Sequence, residues 1–81
     1  MSIRDERAAQ EHPAYNDAVR FATRRASEGI ESLVCIEGDD IFVVAAGKCP
    51  SQATVVCVAQ RWDDKTIQLR FAGARSEWVK V

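Results

Sequence analysis

The chain has a single histidine, His12, and that scarcity removes most of the chemistry on which small enzymes rely. General acid–base and nucleophilic mechanisms need a base, a nucleophile and a supporting group within mutual reach. His12 stands beside Pro13 and Cys49 beside Lys48, and neither brings such a set together. No catalytic residue is assigned, and the chain reads as a non-enzyme. Glycine is equally sparse. Gly29, Gly38, Gly47 and Gly73 are isolated, so no glycine-rich loop can cradle a phosphate. An Asp-x-Asp-x-Asp loop is missing too, which excludes the usual calcium site. The three cysteines, Cys35, Cys49 and Cys57, form no C-x-x-C pair and are odd in number, against both a zinc site and a disulfide framework. Cys35 and Cys57 lie in apolar runs and read as core filler. No cofactor or metal is expected.

An excess of charge of one sign is also lacking. Eleven basic side chains face twelve acidic ones, for a net charge of −1, so no strong overall field draws the chain to nucleic acid or an anionic membrane. No apolar run approaches the roughly 18 residues of a membrane span. Residues 1–10 mix both signs of charge without the apolar centre of a signal peptide. The expectation is a cytoplasmic chain with no membrane partner. Repeats, linkers and low-complexity tracts are absent. The 81 residues therefore read as one domain over residues 13–81, preceded by an arm or short helix over residues 1–12.

What is present is apolar sequence, 47% of the chain, gathered in near-continuous runs at residues 33–36, 41–46 and 53–59. Such runs suit strands buried on both faces. Ile67, Leu69 and Phe71 instead alternate with Gln68 and Arg70, and residues 77–81 form a fifth candidate strand. Ahead of them, Ala14, Tyr15, Ala18, Val19, Ala22 and Ala26 fall on one helical face, with Phe21 at its edge. Pro13 suits the helix start and Gly29 its stop. The fold class is α+β, with one main N-terminal helix packed on a four- to five-stranded antiparallel β-meander. One helix covers one face of such a sheet. The other face needs the N-terminal arm, a second copy of the chain or a different protein.

A turn at residues 63–66 pairs Trp62 with Ile67 and Arg61 with Gln68, which turns Trp62, Val58 and Val56 toward the helix. The outer face then carries Val55, Cys57, Ala59, Arg61, Gln68 and Arg70. Its apolar centre and polar margin make it a candidate partner surface, with Arg61, Gln68 and Arg70 as contacts. A meander also sorts charge by sheet end. Glu37, Asp39, Asp40, Asp63 and Asp64 gather at an acidic end suited to docking on an arginine-rich groove. Arg20, Arg24, Arg25, Lys48 and Arg75 gather at a basic end, the candidate for nucleic-acid contact. With Trp62 and Phe71 turned inward no aromatic platform is offered to bases, so direct nucleic-acid binding is disfavoured.

The sequence thus reads as a small protein-binding module that works by occupying a surface on a protein or nucleoprotein complex. Its size and lack of catalytic groups fit a phage or accessory inhibitor of a bacterial defence complex, of the anti-CRISPR kind. Two other classes stay open. One is a structural subunit that forms a homodimer through the outer sheet face. The other is a weak nucleic-acid binder using the arginine-rich end.

Overall fold

The computed structural model describes residues 10–72 and 75–80. The expected arm lies almost wholly outside the described residues, as do Gly73, Ala74 and Val81. One helix, α1 (Tyr15–Ser27), precedes five strands: β1 (Ser32–Glu37), β2 (Asp40–Ala45), β3 (Thr54–Asp63), β4 (Thr66–Phe71) and β5 (Ser76–Lys80). All neighbouring strands pair antiparallel, and α1 packs on one face of the sheet. The α+β class, the main helix and the antiparallel sheet agree with the sequence. No helix among the described residues is long and apolar enough to cross a membrane.

The helix ends are built from local chemistry. Ala14 offers no side-chain cap, and His12 substitutes for it by accepting the Ala14 N–H at Nδ1 over 3.0 Å. The other ring nitrogen lies 2.8 Å from the Asp39 carbonyl, so a neutral ring carrying its proton on Nε2 satisfies both bonds. One side chain thereby ties the helix start to the β1–β2 turn. At the far end, the Ile30 N–H reaches the Arg25 carbonyl and the Gly29 N–H reaches that of Ala26. These are the paired bonds of a Schellman stop, and Gly29 supplies its left-handed residue at φ 91°. Along the helix, Tyr15, Ala22 and Ala26 are buried. The two alanines let the helix backbone sit close against the strands.

The strand order is β2-β1-β3-β4-β5 rather than sequential. β1 lies between β2 and β3, so those two strands run parallel to each other. Residues 46–53 must therefore travel back along the sheet across β1 instead of closing a hairpin. A meander makes Gly47 to Ser51 the connection between two neighbouring strands. In the structure Gly47 turns at φ 84° immediately after β2, and the chain beyond it becomes the crossover.

This crossover answers half of the question of what covers the second face. On β1, Val34 and Ile36 pack toward α1, so Cys35 points the opposite way, yet it is 0% exposed. Cys49 of the crossover lies over it, with 3.5 Å between the sulfurs. The crossover thus covers the β1 side of the outer face, while among the described residues nothing covers the half formed by β3, β4 and β5.

β3 carries two irregularities. Its register with β1 shifts between Val34 and Cys35, leaving Val56 as an extra residue, and its register with β4 shifts between Arg61 and Asp63, leaving Trp62 extra. Each bulge reverses the facing of every residue beyond it. Between the two, Cys57, Ala59 and Arg61 take the helix side and Val58 and Gln60 the outer side.

Candidate functional site

Both tryptophans of the chain stand on the open half of the outer face. Trp62 is 64% exposed and Trp78 is 53% exposed, and their rings meet edge to face at 5.1 Å between centroids. Trp78 reaches this face by simple alternation. It pairs with Gln68, whose neighbours Ile67 and Leu69 are buried under the helix. Trp62 reaches it through the bulge. Asp63 pairs with Thr66 across a tight turn, and the next pair is Arg61 with Ile67, so Trp62 is extruded from the ladder. The turn is held by the Asp63 carboxylate, which accepts the Lys65 N–H at 2.8 Å. That bond, with help from Thr66 and Arg61, keeps the Asp63 carboxyl below its ordinary range.

Around the tryptophans the outward residues form cross-strand rows. Val58, Arg70 and Ser76 make one row, and Gln60, Gln68 and Trp78 the next. Thr66 and Lys80 pair beside the Asp63 turn. Arg70 and Lys80 therefore put positive charge on either side of the aromatic centre. Trp and Arg are residue types enriched at binding hot spots.

The residues singled out from sequence fall in several places. Gln68 and Arg70 are on the outer face as expected. Arg61 is not, because the bulge at Trp62 gives it Ile67 as its pairing partner, on the helix side. There its guanidinium reaches Asp64 at 2.7 Å. Cys57 and Ala59 are likewise corrected from outer-face to core positions, both 0% exposed. Val58 is corrected from the helix side to the outer side, as is Trp62.

The two charged ends are corrected as well. Inserting β1 between β2 and β3 reverses β3 and β4 relative to a meander. Glu37, Asp39 and Asp40 then lie at one end of the sheet, and Asp63 and Asp64 at the other. The basic set divides in the same way. Arg24 and Arg25 close the helix on the side of Asp63, Asp64 and Arg61, and Lys48 follows the end of β2 there. Arg75 lies at the opposite end with its guanidinium 4.5 Å from the Phe71 ring centre. Arg20 joins Arg75 and Glu77 along a groove of about 320 Å³ between α1 and β4–β5. Each end carries both signs, so neither is a single-sign docking surface.

Among the described residues no group of three His, Cys, Asp or Glu side chains could hold a metal ion. Comparisons with family models, with curated proteins and with solved structures found no match.

Proposed function

We propose that the chain is a protein-binding module whose contact surface is the Trp62–Trp78 face of β3, β4 and β5. One observation carries the reading: the only two tryptophans of the chain are both exposed, in mutual contact, on the sheet half that neither the helix nor the crossover covers. Exposing two large rings forgoes burial worth about 1.5–3 kcal/mol for a large apolar side chain. A partner recovers that energy. The surrounding charges, Arg70 and Lys80 on two sides and Asp63 and Asp64 next to Trp62, favour a partner whose apolar patch is edged by charges of both signs, and such complementarity sets orientation and association rate. No feature of the described residues specifies a bacterial defence complex as that partner.

The test compares affinity capture by the natural chain and by Trp62→Ala/Trp78→Ala, after circular dichroism shows both folded. A protein retained by the natural chain and lost by the variant supports the reading. Each single substitution should weaken that complex at least tenfold, since truncating an aromatic hot spot costs about 2 kcal/mol or more and 1.4 kcal/mol is about tenfold. A protein held equally by both chains contradicts it.

The exposure of Trp62 also favours a second reading, single-stranded nucleic acid, because it restores the stacking platform that the sequence denied. Asp63 and Asp64 beside Trp62 oppose a phosphate backbone there. Binding to an oligonucleotide that falls steeply with salt and is lost in the same variant would move the assignment to that class.

A further inference from the structure

The geometry points to a second chemical site, away from the tryptophans: Cys35 and Cys49 form a dithiol that hydroperoxides close to a disulfide, pinning the crossover to the outer face of β1. The two sulfurs belong to chain segments brought together only by the non-sequential strand order. They lie 3.5 Å apart and are already in contact, with the Cys35 thiol directed at the Cys49 sulfur. Closing the bond to about 2.05 Å requires a shift of about an ångström and a half, on the side of a crossover loop rather than a paired strand. Cys57, by contrast, faces α1 through the other side of the sheet and is buried in the main core.

The two thiols divide the reaction between them. Cys49 is half-buried on the crossover, with the Pro50 carbonyl at 3.4 Å and that of Ala53 at 3.9 Å as acceptors for its proton. It is the sulfur a small oxidant reaches. Cys35 is fully enclosed, and burial, with the Cys49 bond and charge, pushes its thiol up to about 12, so it stays protonated and does not react first. In the first step the Cys49 sulfur attacks one oxygen of hydrogen peroxide. The O–O bond breaks, a sulfenic acid forms on Cys49, and the other oxygen leaves as water. In the second step the Cys35 sulfur attacks the Cys49 sulfur. The S–O bond breaks, and the departing hydroxide takes the Cys35 proton to leave as a second water. Two thiols and one peroxide thus give one disulfide and two waters, and an external dithiol reverses the change.

The test treats the full reduced chain with hydrogen peroxide, then alkylates the remaining thiols under denaturing conditions. The expected product loses two hydrogen masses and carries one alkyl group, on Cys57. Its digest contains a Cys35–Cys49 linked peptide that dithiothreitol separates. Tryptic cleavage after Lys48, within the crossover, should also be several-fold slower in the oxidised chain than in the reduced one. Three alkylated thiols, a link that includes Cys57, a dimer joined through Cys49, or a sulfinic acid on Cys49 without a link would each overturn the assignment. Equal cleavage after Lys48 in the two forms would overturn the pinning.

Discussion

Trp62 faces solvent because of a single extra residue on β3. The turn that follows it was legible: the Asp-Asp-Lys-Thr run predicts the 63–66 connection, and Asp63 pairs with Thr66 as that turn requires. The bulge beside it was not, since no glycine marks it. A signal did exist in residue size. The buried face of α1 presents Ala22 and Ala26, and a helix that approaches so closely needs small partners beneath it. Cys57 and Ala59 are small and Val58 and Trp62 are large, so matching volumes across the interface assigns the faces correctly where alternation counted from the turn does not. Cys35 offers a residue-scale prediction. Its thiol pKa is raised from 9.0 to about 12 in the fold, mainly by burial. The native chain therefore keeps a proton that the unfolded chain gives up. The stability this contributes is fully present below pH 9.0 and is lost as pH rises from there toward about 12. Urea midpoints under reducing conditions should fall more steeply with alkaline pH in the natural chain than in Cys35→Ala. Parallel slopes would place Cys35 in a less enclosed site.

At the scale of elements, the helix was the most legible part, because its signals are local. The apolar spacing fixed its buried face, and Gly29 followed by Ile30 announced its end. The cap is a place where backbone alone can be tested. Among the described residues a Cβ on Gly29 meets nothing nearer than an Arg61 guanidinium nitrogen at 4.0 Å, while φ is 91°. Gly29→Ala should therefore destabilise through strain and not through crowding, by about 1 kcal/mol, seen as a lower urea midpoint with an unchanged m-value. An unaffected midpoint would mean the Schellman stop contributes nothing. The crossover was the least legible element. Gly47 to Ser51 reads as the connection between adjacent strands of a meander, and local chemistry does not say whether a chain reverses beside its neighbour or passes across it. That choice is made by long-range pairing, here β1 with β3.

At the scale of the whole molecule, the one change of strand order redistributes everything the sequence had gathered into two charged ends. Glu37, Asp39 and Asp40 separate from Asp63 and Asp64, the arginines divide, and the contrast that remains is between faces. One face is filled by the helix. Among the described residues the other is half covered by the crossover and half open at Trp62 and Trp78. The apolar surface exposed on the open half is concentrated in Trp62 and Trp78, among polar neighbours such as Gln60, Gln68 and Arg70. Acrylamide quenching of tryptophan emission in Trp62→Phe and Trp78→Phe, each of which leaves one tryptophan, tests this arrangement most directly, first in the free chain and then with a captured protein partner. With both rings on the open half, both tryptophans should be readily quenched in the free chain and both shielded in the complex. A Trp62 already shielded in the free chain, or tryptophans quenched as easily in the complex as outside it, would contradict that arrangement.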